Sequence, residues 1–305
     1  MQEYPDGREV FLQRVHRFYS DDLFIRATSV ISTEPIREMC SLQKTGPLAT
    51  MALGRAVTGA LLMAAQLRDN QVVGLHFRGN GPLGSVYAEA SYEGECRGWC
   101  DAPEASVPLK DGRLDVAKGL GVGLLNVIRS QPFEKAPHIG TVEMISSEIG
   151  DDIAYYLQQS HQIPSVVALG VVLAEDASVL ASGGVLIELM PGASDSVVSN
   201  LESCVAAAKP LSQLLKDGRS PLEMLRNYSG SIRMNQAQHA FDIKYSCRCS
   251  SDRVTRSITM LGRDEVARMV DEGKDARVRC EFCGRTYVLT VAKLRDILSG
   301  FSKCN

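Results

Sequence analysis

The chain has no apolar run approaching the roughly 20 residues that a bilayer-spanning helix needs; runs such as VVALGVVLA, residues 166–174, stop far short. Its opening, MQEYPDGREV, has no apolar core and no small-residue cleavage site, so no targeting segment is expected and the chain reads as cytoplasmic, without a membrane partner. It also has no charge bias. A net charge of -3, from 33 basic and 36 acidic residues, offers no global attraction to nucleic acid or anionic lipid. His16, His76, His138, His161 and His239 are scattered, and none is tied by a motif to a cysteine or serine. Each is expected to be an ordinary core or surface histidine, and no enzyme is expected.

Two glycine-rich segments imitate nucleotide-binding loops. Gly79-Asn80-Gly81-Pro82-Leu83-Gly84 fits G-x-G-x-x-G, but SVYAEASYEG follows it with a period of two where a dinucleotide site needs a helix N-terminus. A hairpin loop is expected instead. Gly119, Gly121 and Gly123 have no P-loop lysine after them and read as turn or bulge positions. Asp151-Asp152 are adjacent, so on a helix they point about 100° apart and read as first-turn acids rather than a catalytic pair.

Cysteine, by contrast, is concentrated. Four of the nine form two close pairs near one end: Cys247-Arg248-Cys249, then thirty residues, then Cys280-Glu281-Phe282-Cys283 followed by Gly284. Two short chelating pairs joined by one long loop suit a tetrahedral zinc ion. Gly284 permits the positive φ of a knuckle turn, so that amides can face the thiolates. No histidine lies beyond His239, so all four ligands are expected to be cysteines. The competing reading is buried core thiols or structural disulfides, but in a reducing compartment such spacing favours a metal. The C-x-C half is unusual, because a disulfide can close there only as a small, strained ring; strained disulfides are labile, which hints at a switch. Cys96 and Cys100 share a strand-like segment and are expected to be buried; Cys304 is expected to be exposed.

The chain length, 305 residues, exceeds a usual single domain. Residues 1–192 read as a mixed α/β domain with a largely antiparallel sheet. Its segments are LFIRATSVIS, a buried helix from Pro47, the strand-like VVGLHFRG, SVYAEASYEG, ECRGWC, RLDVAKG and GTVEMISS, a helix over 148–161 capped by Ser147, and two apolar strands before Pro191-Gly192. Residues 193–246 read as a metastable helical linker, with a capping box at Ser220-Pro221-Leu222-Glu223. Residues 247–289 form the cysteine module with one expected helix, DEVARMVDEG, and 290–305 form a helical tail. The fold class is α+β. Within 247–290 nine basic residues face seven acidic ones, too mild and mixed for a phosphate-tracking surface; a zinc-module nucleic-acid binder is therefore the alternative reading. Arg248, Arg279 and Arg285 flank the cysteines and would offset the charge of a four-thiolate centre.

The C-x-C…C-x-x-C-G terminus, joined to GPLGSVYAEASYEGECRGW, SEIGDDIAYYLQQSHQIPSVVALGV and ASGGVLIELMPG, resembles the 33 kDa redox-regulated heat-shock chaperone family over residues 23–288. The resemblance implies an ATP-independent holdase that binds unfolding proteins under oxidative stress. It further implies one Zn2+ per chain on Cys247, Cys249, Cys280 and Cys283 in the reduced, inactive form. Oxidation in such a protein pairs Cys247 with Cys249 and Cys280 with Cys283, zinc leaves, the linker unfolds, and the active form dimerises. Leu201, Val205, Leu211, Leu214, Leu215, Leu222 and Leu225 on the linker helices would then meet clients. His161 departs from the acidic residue usual in the family's S-E-Q-I-P segment, and Cys96, Cys100, Cys204 and Cys304 are additional thiols.

Overall fold

The computed structural model describes residues 14–237 and 241–301; His239 and Cys304 lie outside them. The chain forms two compact units, one ending at Ser246 and the other beginning at Cys247. The first runs β1 (Arg14–Ser20), β2 (Ile25–Ile31), α1 (Thr33–Gln43), α2 (Pro47–Ala64), β3 (Val72–Gly79), β4 (Ser85–Ser91), β5 (Glu95–Cys100), α3 (Val116–Leu120), β6 (Gly123–Ser130), β7 (His138–Glu143), α4 (Gly150–His161), β8 (Ser165–Leu173) and β9 (Val179–Leu189). It continues with α5 (Asp195–Ala207), α6 (Leu211–Lys216), α7 (Pro221–Ser229) and three two-residue strands, β10 (Asn235–Gln236), β11 (Phe241–Asp242) and β12 (Lys244–Tyr245).

Where one largely antiparallel sheet was expected, there are two. The first sheet has the order β10-β1-β2-β9-β8, with β11 also on β1, and the second β12-β5-β4-β3-β6-β7. All pairings are antiparallel except β12 on β5. Helix α2 starts with Pro47 at its first turn and packs on strands of both sheets. That position explains its composition. A helix with neighbours all round carries no polar stripe; mean hydropathy over its 18 residues is 1.3, apolar enough to cross a membrane, yet 83% of it is buried within the protein.

Strands β2 and β9 are apolar on both faces because the first sheet is covered twice. Val30 and Leu186 face the core around α2, whereas Ile25, Ala27, Ile31, Val185, Ile187 and Leu189 face a second core shared with α5–α7. Leu215 of α6 settles over a gap in that outer face: a Cβ on Gly170 would stand 2.8 Å from its Cδ1, and one on Gly183 3.0 Å from its Cδ2. Helix α7 begins with the expected capping box, Ser220 N donating to Glu223 Oε2 at 2.8 Å and Glu223 N to Ser220 Oγ at 3.3 Å.

The two glycine-rich segments pack on each other. Gly79-to-Gly84 is the β3–β4 hairpin loop, and Gly81 N donates to Leu120 O at 2.8 Å, Leu83 N to Gly119 O at 2.9 Å. A Cβ on Gly79 would lie 1.9 Å from Leu120 O, so glycine serves backbone approach there, not phosphate. Three local expectations are corrected. RLDVAKG forms α3 rather than a strand, because Asp115 Oδ1 accepts from Lys118 N at 2.8 Å and caps a helical turn; the strand is the following segment, β6. Ser147 does not cap α4: its hydroxyl donates to Gly121 O at 2.5 Å. Asp152, fully buried, accepts instead from the amides of Ile145, Ser146, Ser147 and Ile149 at 2.8 to 3.3 Å. Glu148 precedes the helix and pairs with Arg55 at 2.5 Å.

The second unit comprises α8 (Ser251–Met260), α9 (Arg263–Asp271), β13 (Ala276–Arg279), β14 (Thr286–Leu289) and α10 (Val291–Phe301). Helix α8 was not expected, because Val254 and Ile258 are its only buried side chains and leave a faint apolar stripe. Leu294 of α10 joins Val254, Ile258, Val266 and Leu289 in one small core.

Gly170→Ala tests the seat of α6. A methyl group there competes with Leu215, and overpacking of this kind costs about 1–3 kcal/mol. Limited proteolysis is expected to cut the variant first within residues 193–229 while the sheets persist.

Candidate metal centre

Cys247 and Cys249 stand just ahead of α8, and Cys280 and Cys283 in the turn joining β13 to β14. Ser250 caps α8, its Oγ accepting from Arg253 N at 3.2 Å, which fixes the chain immediately after Cys249. The β13–β14 hairpin runs in register from Ala276↔Leu289 to Arg279↔Thr286. Its turn is closed by Cys280 N to Arg285 O at 2.9 Å and Gly284 N to Cys280 O at 2.8 Å, with Gly284 at φ 71°. Backbone amides of Cys249 and Arg285 donate to the sulfurs of Cys247 and Cys283, the arrangement expected of a knuckle.

The four sulfurs all lie within 4.8 Å of one another; Cys247 Sγ is 3.6 Å from Cys280 Sγ, and Cys249 Sγ 3.5 Å from Cys283 Sγ. Four thiolates about 2.3 Å from a central tetrahedral ion stand about 3.8 Å apart. The tetrad therefore fits a metal of that size, and its all-sulfur donor set suits a soft or borderline ion.

Proton affinities differ around the tetrad. Burial pushes the Cys247 thiol up to about 12, with the other sulfurs adding to it, and burial also raises Cys283. At Cys249 the cost of burial is outweighed by hydrogen bonds from Tyr287 Oη, at 3.0 Å, and from the neighbouring thiols, which bring it down to about 7. The Tyr287 hydrogen bond thus favours the thiolate form of Cys249. Tyr287 is in turn held above its ordinary value by that bond to Cys249, and Arg285 by its hydrogen bond to Tyr287 and the nearby sulfurs. Sequence reasoning did not single out Tyr287. The available signal was alternation, because on β14 it shares a side with buried Leu289.

The other cysteines are remote in character. Cys40, Cys96 and Cys100 are buried in the core around α2, and burial pushes Cys96 up to about 12 and Cys100 to about 11. Cys204 is half-buried on α5. The described histidines stay outside the tetrad: His16 bonds Gln236 at 3.1 Å, His138 Glu134 at 3.3 Å and His161 Tyr156 at 3.5 Å, and His76 stands edge-on to Tyr87 and Trp99. The seven linker residues form one cluster on the outer face of the first sheet. Leu201, Leu211, Leu214, Leu215 and Leu225 are buried, with Val205 and Leu222 partly so.

A family model described as Hsp33 protein matches residues 13–290. A 33 kDa chaperonin of Desulfotalea psychrophila is 40% identical over 268 residues, 88% of this chain and 90% of that protein. One from Geobacter sulfurreducens is 38% identical over 285 residues, 90% and 92% of the two chains. The crystal structure of the 33 kDa chaperonin (heat shock protein 33 homolog) of Thermotoga maritima superposes with a TM-score of 0.88 at 28% identity, covering 96% of this chain and all of that one. With an α+β fold of antiparallel sheets and helices that ends in a four-cysteine cluster, the chain belongs to the Hsp33 family of chaperonins.

Proposed function

We propose that the chain is an ATP-independent holdase, not an enzyme, that works in a reducing cytoplasm and is switched on by oxidation of its cysteine tetrad. The observation that carries the proposal is the convergence of Cys247, Cys249, Cys280 and Cys283 within 4.8 Å, in a unit of about sixty residues, a size at which a core alone gives only marginal stability. In the resting form these four residues hold one Zn2+ per chain. Bound zinc would keep the sulfurs as thiolates, the form that peroxides and hypochlorous acid attack.

Oxidation converts two thiolates into a disulfide: the sulfurs surrender two electrons, the O–O bond of a hydroperoxide breaks, and with two protons its oxygens leave as water and the corresponding alcohol or a second water. Two equivalents oxidise the tetrad. The pairing proposed, Cys247 with Cys249 and Cys280 with Cys283, is the one that the resemblance to the family implies. No thiolate then remains for the ion, and the metal contribution to folding, about 10–16 kcal/mol for structural zinc, is lost.

The chain itself couples this event to the first unit. Ser246, whose amide donates to Cys96 O at 3.0 Å, directly precedes Cys247, and β10–β12 pair with β1 and β5 just after α7. Unfolding that spreads back through this segment releases α5–α7. The apolar faces carrying Leu201, Val205, Leu211, Leu214, Leu215, Leu222 and Leu225, and the sheet face under them, then become available to unfolding clients and to a second copy in an active homodimer. Nucleic acid and membrane are not partners in this reading: the second unit mixes both charges, and α2 is buried inside the first unit.

Peroxide with mild heat is expected to release about one zinc per chain and to switch on suppression of client aggregation without ATP, and Cys→Ser changes at the tetrad should abolish zinc retention. Equal suppression by the reduced, zinc-loaded chain would sink the switch; salt-sensitive retention of RNA or DNA by that form would favour a nucleic-acid binder. Zinc affinity should also fall as pH drops from 8 to 6, since binding displaces thiol protons. A competition titration with a chromogenic chelator reads this, and a pH-independent affinity would argue against thiolate ligation.

A further inference from the structure

Three of the sulfur environments differ in a way that bears on how readily the switch trips. Cys247 and Cys283 receive backbone amides, which no side-chain replacement can remove. Cys249 receives a side-chain donor, Tyr287 Oη at 3.0 Å. The phenol directs its proton at the Cys249 sulfur, and the Arg285 guanidinium, which can only donate, interacts with the same phenol. A donor so placed draws charge from a thiolate and occupies a lone pair that an electrophile would use.

We propose that Tyr287, oriented by Arg285, is a positioning residue that restrains Cys249 in the zinc-loaded centre and so slows its oxidation, setting the oxidant level at which the switch opens. The inference rests on the reading of the tetrad as a zinc centre that oxidants open. The restrained step is the attack of the Cys249 sulfur on a hydroperoxide: the sulfur lone pair forms an S–O bond, the O–O bond breaks, and the departing oxygen takes a proton to leave as water or an alcohol. Cys249 is left as sulfenic acid, two electrons poorer, ready for a second thiolate to displace its hydroxyl.

The test uses the full zinc-loaded chain with Tyr287→Phe, which keeps the ring and removes the donor, and Arg285→Gln, which leaves the donor unaligned. Hydrogen peroxide is added, zinc release is followed with a chromogenic chelator, and early modification of Cys249 relative to Cys283 is measured by mass spectrometry. Tyr287→Phe is expected to release zinc about tenfold faster, at the low end of the effect of losing an outer-sphere partner, and to raise the Cys249 to Cys283 ratio; Arg285→Gln should shift both less, in the same direction. Wild-type kinetics in both variants, or acceleration of all four thiols alike, would overturn the proposal. Should Tyr287→Phe not retain zinc, Arg285→Gln alone decides by the same two readouts. A wild-type chain that holds no zinc would remove the proposed function as well, whereas one that releases zinc on oxidation at the same rate as the variants removes only the role of Tyr287.

Discussion

Coordination of one ion by the four sulfurs, which lie within 4.8 Å of one another, is in the proposed function the constraint on which the second unit depends. Its buried apolar side chains among the described residues are Val254, Ile258, Val266, Leu289 and Leu294, a small core for three helices and a hairpin in a unit of this size. The cysteine pairs sit where binding of an ion would organise most: one at the start of α8, the other at the β13–β14 turn. A fold held in that way would be conditional on the oxidation state of its ligands.

The two faces of the first sheet are covered very differently. Helix α2 lies between both sheets, and the core around it contains residues from nearly every strand. The outer face of the first sheet, in contrast, is covered by three short helices of 13, 6 and 9 residues, lengths at which an isolated helix is not stable in water. Their stability comes from docking, as in the seating of Leu215 over Gly170 and Gly183. Local stability should therefore differ strongly across the same sheet, low for the cover and high for the α2 side.

Much of this was legible in the residues. The cysteine spacing announced the tetrad, Ser220 and Glu223 announced the start of α7, and period-two alternation identified β3, β4 and β5. The misses share a cause, which is that one local signal was outweighed by a competing hydrogen bond. RLDVAKG carries β-compatible residues, but Asp115 caps a helical turn instead. Ser147 stands where a cap belongs, but its hydroxyl reaches Gly121 O, and Asp152 gathers the loop amides. The continuous apolar runs of β2 and β9 could not say which residues face which core. Tyr287 showed only the alternation of β14, because its importance lies in a hydrogen bond to a sulfur 38 positions earlier.

Hydrogen exchange read by mass spectrometry on the zinc-loaded and peroxide-oxidised chain tests the central claim most directly, because it follows each element separately. Oxidation is expected to abolish protection in α8–α10 and the β13–β14 hairpin and to lower it by orders of magnitude in α5–α7, while α2 and strands β2, β3, β4 and β9 stay protected. Unchanged protection of α5–α7 after complete zinc loss would contradict the coupling of the tetrad to the helical cover.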